Sequence, residues 1–167
     1  MKGKVLVAYG STNGSTAEIA ERVGEVLTKE GLAVDVLSAA DATDLAPYGA
    51  VVIGGGLYAG HWQRDARRFA RRHRKALAQR PVWLFSSGPL DPSASERDIP
   101  PAPRVRRVAD RVDARGHITF GGRLEGEVKG RIARMIVNSG KGGDYRDFEQ
   151  ISRWAAMVAR DLEGPGV

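Results

Sequence analysis

Seven residues near the amino terminus, Gly10, Ser11, Thr12, Asn13, Gly14, Ser15 and Thr16, combine glycines, hydroxyls and an amide. They follow an apolar run, Val5 to Tyr9, and lead into Ala17-Glu-Ile-Ala20, where a helix begins. A glycine-rich turn from strand to helix gathers free N–H groups and hydroxyls where the helix dipole is positive, which is chemistry for holding a phosphate. The spacing narrows the ligand. A nucleoside-triphosphatase loop needs Lys directly before its terminal Ser/Thr, and a dinucleotide loop needs G-x-G-x-x-G; Gly10 and Gly14 satisfy neither pattern. With no Lys or Arg inside it, the loop suits one monophosphate held by many hydrogen bonds. The same residues also read as a capped helix start, with Ser11 or Thr12 accepting the free amides.

Two more segments carry groups that suit a planar ligand. Gly54-Gly-Gly-Leu57-Tyr58-Ala59-Gly60-His61-Trp62 supplies glycines for close backbone approach and two aromatics able to stack, and Ser86-Ser87-Gly88-Pro89-Leu90 adds a second glycine turn. Ordinary packing is the competing role for Tyr58 and Trp62. A phosphate cradle beside such walls describes a site for a mononucleotide with a flat head, and FMN is the best match. His61 is the nearby group that titrates near neutrality, with proton delivery and a helix-start hydrogen bond as its two readings.

The elements that must position these loops follow from periodicity. Val5–Tyr9, Ala33–Leu37, Ala50–Gly54, Pro81–Ser86 and His117–Gly121 read as strands, the third continuously apolar as a strand covered on both faces should be. Between them lie helical patterns: Ala17 to Leu27, stopped by Gly31, then Arg64–Gln79 with Phe69 and Leu77 inward, then Val105–Val112. Asp147–Leu162 closes the chain with Phe148, Ile151, Ala155, Val158 and Leu162 as its buried stripe. Strictly alternating elements predict a doubly wound α/β fold, a three-layer sandwich around a five-stranded parallel sheet of order 2-1-3-4-5. Its switch point lies between the first and third strands, where the three loops meet.

At 167 residues the chain is expected to be one domain, 1–167. The absence of Cys excludes disulfides, thiolate-bound clusters and cysteine nucleophiles, and fits a reducing compartment. His61, His73 and His117 lack ligand-spaced partners, so no metal is expected. The start of the chain resembles neither a signal peptide nor a membrane span, and the expected location is cytoplasmic, peripheral at the inner membrane face if the charge serves a membrane. A net charge of +6 from 26 Lys and Arg, most of them Arg, suits an anionic partner or reflects composition alone. Helical spacing aligns Arg64, Arg68, Arg71 and Lys75 along one side of the second helix, as an electrostatic surface for an acidic redox partner or anionic lipid, or as a solvated face. Val128, Ile132, Met135 and Ile136, interleaved with Lys129, Arg131 and Arg134, form a weak amphipathic pattern. No nucleic-acid partner is expected, because the aromatics do not line the basic helix.

The phosphate loop, the Gly54–Trp62 loop and the Ser86–Leu90 turn resemble the phosphate loop and the two isoalloxazine loops of flavodoxins, and the similarity runs over the whole chain. Tyr48-Gly-Ala-Val-Val-Ile-Gly54 with Gly60-His61, and Asp144-Tyr-Arg-Asp-Phe-Glu-Gln-Ile151 with Trp154-Ala155, are similar in particular to the flavodoxin-like menaquinone-dependent protoporphyrinogen dehydrogenases. Two departures stand out. Arg123 to Tyr145, where that branch has a basic, aromatic-rich segment, holds Tyr145 as its one aromatic, and the branch's Arg-Tyr-Gly-His reads Tyr58-Ala59-Gly60-His61. The resemblance implies FMN, with Ser11, Thr12, Asn13, Gly14, Ser15 and Thr16 about the phosphate. It implies Leu57, Tyr58, Ala59, Gly60, His61 and Trp62, and Ser86, Ser87, Gly88 and Leu90, about the ring. It sets the Tyr58–Gly60 peptides beside flavin N5 and the Ser87–Leu90 backbone at the pyrimidine edge. The functions it leaves open are an electron carrier exchanging with a redox partner protein, an enzyme acting on protoporphyrinogen or a quinone, and a module that has lost its cofactor.

Overall fold

Lys4–Gly10 forms β1, and its alternation sends Val5 and Val7 to one side and Leu6 and Ala8 to the other, all fully buried. This computed structural model describes residues 3–12, 14–124 and 143–164. After β1 come α1 (Ser15–Lys29), β2 (Val34–Ser38) and β3 (Tyr48–Tyr58). β4 (His61–Trp62), α2 (Arg64–Arg72) and α3 (Arg74–Leu77) follow. β5 (Val82–Ser87), α4 (Ser93–Glu96), α5 (Pro103–Val112) and β6 (Gly116–Phe120) complete the central layer and its cover. The chain ends through β7 (Arg123–Leu124), β8 (Gly143–Asp144) and a last helix, α6 (Phe148–Leu162).

β2, β1, β3, β5 and β6 lie side by side in that order and pair in parallel, while β4 pairs antiparallel with the end of β3. With β4 set aside, this is the expected 2-1-3-4-5 order. Each face of the sheet has its own apolar layer. On one, Ile19, Val23 and Leu27 of α1 meet Ile151, Ala155 and Val158 of α6 over Val5, Val7, Val52 and Phe85. On the other, Ala66 and Phe69 of α2, Leu77 of α3, and Val105 and Val112 of α5 cover Leu6, Val51, Ile53 and Leu84. Burial of these layers is the main favourable contribution to the fold.

Three features depart from the sequence reading. β3 runs beyond Gly54 to Tyr58, because Gly55 and Gly56 still pair with Ser86 and Ser87 and the strand then turns back on β4. The expected helix 64–79 breaks at His73 (φ −102°, ψ 18°), with no Gly or Pro to announce it. Leu77 stays in the core because α3 restarts immediately. β7 and β8 pair antiparallel at the root of the segment after β6; the amphipathic pattern at 128–136 lies outside the described residues, as does Asn13. Among the described residues no helix is long and apolar enough to cross a membrane.

Candidate functional site

The carboxyl ends of β1, β3 and β5 bring the three loops to one edge, at the switch between β1 and β3. Helix α1 starts there without a side-chain cap, as α3, α4 and α5 also do. Its N-cap is Gly14, held at φ 84°, so no cap side chain accepts from its first amides. Elsewhere Gln63 accepts from Asp65 N to cap α2, and Asp147 accepts from Glu149 N and Gln150 N to cap α6. Ser11, a candidate cap, is engaged within the loop instead: its Oγ accepts from Gly14 N at 2.9 Å. Thr12 is exposed, Ser15 is half-buried, and Thr16 is buried against Gly56 at the end of β3. The described loop therefore presents hydroxyls and uncapped amides together, which is what a phosphate requires.

The second loop is a tight hairpin. Tyr58 pairs with His61 across Ala59 (φ 52°) and Gly60 (φ 80°), the positive angles of a type I′ turn. Ala59 is thus a non-glycine residue held in the left-handed region, which costs about 1–2 kcal/mol. Tyr58 stands 39% exposed at the hairpin, free to cover a flat ligand. Trp62 does not. Its indole is 2% exposed, lies over Gly55, and donates through Nε1 to Ser86 Oγ at 2.9 Å. Of the two roles expected for Trp62, packing describes this position: the antiparallel return of β4 turns it into the α2 and α5 layer, and a Cβ on Gly55 would meet its Cγ at 2.5 Å.

Ser86 is buried as well. It is 1% exposed, its backbone lies inside the sheet opposite Gly55 and Thr119, and its hydroxyl lies 2.8 Å from His117 Nε2. Burial pushes His117 down to about 4 and keeps the ring neutral. Ser87, also buried, donates to Gly121 O. Past it, Gly88 N donates to Phe120 O and Gly122 N to Pro89 O, so this turn is fastened to the end of β6 while Leu90 stays half-buried. Gly88 and Leu57 lie against one another, which brings the second and third loops together.

His61 faces Arg104 of α5, whose Nη1 lies 3.3 Å from His61 Nδ1. Desolvation, then the charges of Arg104 and Arg67, lower its pKa below the ordinary histidine value. The helix-start role belongs to Gln63, which leaves His61 free of it.

One cation escaped the sequence reading. Arg146, its side chain 4% exposed, reaches the backbone of the phosphate loop, with Nη1 donating to Ser15 O at 3.3 Å. It is clamped by Asp144 (Nε to Oδ1 3.0 Å, Nη2 to Oδ2 2.9 Å) and by Glu18 of α1 at 3.5 Å. Arg123 also pairs with Glu18, at 3.1 Å, so both strands at the root of the 123–144 segment are tied to the first turn of α1. The Asp144-x-Arg146 spacing was visible in the sequence; its closeness to Ser15 was not.

A second basic feature adjoins the hairpin. Arg67 and Arg71 of α2, with Arg74 and Lys75 of α3, face Arg104, Arg107 and Arg111 of α5 across a groove of about 670 Å³ that His61 also lines. Arg64 and Arg68, expected on the same side, lie in the same unbroken helix as Arg67 and Arg71 but are not among its walls.

Comparison with known proteins agrees with this architecture. No curated protein sequence matches the chain. Among solved structures it resembles a point mutant of flavodoxin from Pseudomonas aeruginosa (18% identity, 96% of this chain and 99% of that one, TM-score 0.65). It also resembles oxidised flavodoxin 2 from Bacillus cereus (20%, 96% and 99%, TM-score 0.62). Rubredoxin oxygen:oxidoreductase from Desulfovibrio gigas contains a similar fold (15%, 96% of this chain, 36% of that one, TM-score 0.62). These likenesses are of fold. The family model described as a flavodoxin domain matches residues 6–145, and the chain belongs to the flavodoxin family.

Proposed function

We propose that this protein is an FMN-binding redox protein that passes electrons through the bound flavin, the whole chain acting as one domain. The observation that carries the reading is the amino terminus of α1, uncapped at Gly14 and surrounded by Ser11, Thr12, Ser15 and Thr16 at the switch point. Those hydroxyls and the first amides of α1 would hold the ribityl phosphate. Tyr58 would cover the ring, the Ala59–Gly60 peptides would meet its central edge, and the backbone from Ser87 to Leu90 would face its polar end. FMN, when bound, supplies the one- and two-electron chemistry; the protein's part is binding, orientation and electrostatics. Gly60 gives the hairpin peptide freedom to reorient when the hydrogen-bonding needs of the ring change.

A second reading, a quinone-dependent protoporphyrinogen dehydrogenase, draws on the 123–144 segment, whose root is tied by Glu18, Arg123 and Arg146 beside the phosphate loop. Purification followed by visible spectroscopy and calorimetric titration tests the main reading. One FMN per chain, bound more tightly than riboflavin, is the expected result, and equal affinity for the two would overturn it. Turnover of protoporphyrinogen with a quinone by the loaded protein would favour the second reading over a carrier.

A further inference from the structure

The groove between α2–α3 and α5 is built from charge. Arg67, Arg71, Arg72, Arg74 and Lys75 form one wall, and Arg104, Arg107 and Arg111 the other. Among the described residues no Asp or Glu lines it, and none of these cations pairs with a carboxylate within 4 Å. Outside the groove Lys4, Arg22, Arg115, Arg123 and Arg146 have acidic partners, while other cations such as Arg64, Arg68 and Arg106 have none within 4 Å among the described residues. What sets the groove apart is that its cations converge on one cavity. Cations set together without counter-charge repel one another, and an anion that enters relieves this repulsion.

The lining narrows what enters. Its floor is small and apolar, Ala70, Ala76, Val108 and Val112, and it offers no Phe, Tyr or Trp on which a nucleobase could stack. It has no Ser, Thr, Asn or Gln to orient a small ring, and a concave lane between two helices does not match a flat bilayer. Carboxylates spaced along an extended chain, with short aliphatic groups against the Ala and Val floor, match both features. At one end the groove reaches His61, three residues after Tyr58.

We infer that this groove docks an acidic segment of a protein partner and so holds that partner beside the Tyr58–His61 hairpin. The partner's redox role rests on the flavin reading above; the anionic docking does not. Arg104, which contacts His61, links the occupied groove to the hairpin.

The test uses the full-length protein, a fluorescent oligoglutamate peptide as probe, and two charge-matched triple variants. Arg74→Gln, Arg107→Gln and Arg111→Gln remove groove cations; Arg64→Gln, Arg68→Gln and Arg106→Gln remove exposed cations outside it. The groove triple should weaken peptide binding about tenfold or more, and the control triple by no more than about twofold. The His61 ring signals should shift on peptide titration of the wild type. Equal losses in the two triples would reduce the groove to net charge and overturn the proposal, as would peptide binding that leaves His61 unmoved. Single-stranded DNA, anionic phosphatidylglycerol vesicles or inorganic triphosphate binding more tightly, with the same variant sensitivity, would reassign the groove to that class. FMN titration of the same samples separates the two readings. Peptide failure with FMN bound removes the docking site alone, and FMN failure with peptide bound removes the redox role alone.

Discussion

Trp62 and Ser86, separated by a helix pair in sequence, meet 2.9 Å apart beneath the sheet's carboxyl edge, the indole N–H donating to the hydroxyl. The hairpin that exposes Tyr58 is thereby pinned to β5. Ser86 Oγ also lies 2.8 Å from His117 Nε2, so three strands, β4, β5 and β6, share one buried polar chain. Trp62→Phe removes the donor and leaves Ser86 with one partner fewer. Stability should fall by about 1–3 kcal/mol, read as a lower urea midpoint, while FMN affinity changes little. A large loss of FMN affinity with unchanged stability would instead put the indole against the ligand.

Tyr58, in contrast, should act on the ligand and not on the fold, since it is 39% exposed. Tyr58→Ala is expected to restore fluorescence of bound FMN and to raise the reduction potential, because an aromatic face favours the oxidised ring over the electron-rich reduced one. Steady-state emission and a redox titration check this. The melting temperature should stay near that of the wild type.

The phosphate loop predicts a ligand-selective loss. Thr12→Ala and Ser15→Ala each remove a donor beside the uncapped start of α1. FMN affinity should drop about tenfold or more per site, since losing a bond to a charged group is worth about 1–3 kcal/mol, and riboflavin affinity should barely move. Parallel calorimetric titrations with the two ligands separate this from a general weakening of the site.

His117 sets a pH dependence of stability. Its folded pKa, near 4, lies below the ordinary value of 6.5, so the unfolded chain binds the extra proton first. Stability is full above about pH 6.5 and declines as pH falls toward 4, by about 3 kcal/mol at the limit. His117→Gln keeps a polar group opposite Ser86 and should flatten this slope. Urea unfolding of both proteins between those pH values provides the comparison, and parallel slopes would show that His117 is not the group responsible.

Ala59 offers a gain. Its φ of 52° carries a left-handed penalty that a glycine would not, so Ala59→Gly should stabilise the hairpin by about 0.5–1 kcal/mol after the glycine's greater unfolded-state entropy is counted. The readout is a higher melting temperature, and slower exchange of the hairpin amides.

Sequence alone determined the strand order, both apolar layers and the glycine and hydroxyl turn that leads into α1. Each is written in local periods: apolar runs of strand length, a 3.6-residue stripe such as Ile151, Ala155, Val158 and Leu162, and a Gly and hydroxyl turn between strand and helix. The flavodoxin resemblance rested on those same segments. What the tertiary structure decided was direction and company. Two aromatics four residues apart looked alike in the sequence, but the antiparallel return of β4 turned Trp62 inward and left Tyr58 outside. Arg146 became a neighbour of Ser15 across 131 positions, and the arginines of α5 became the facing wall of a groove whose other wall was all that the helix 64–79 pattern revealed. Local periodicity records which side of an element is apolar. It carries no record of which distant charges that packing brings together, because those distances are fixed only when the layers close on the sheet.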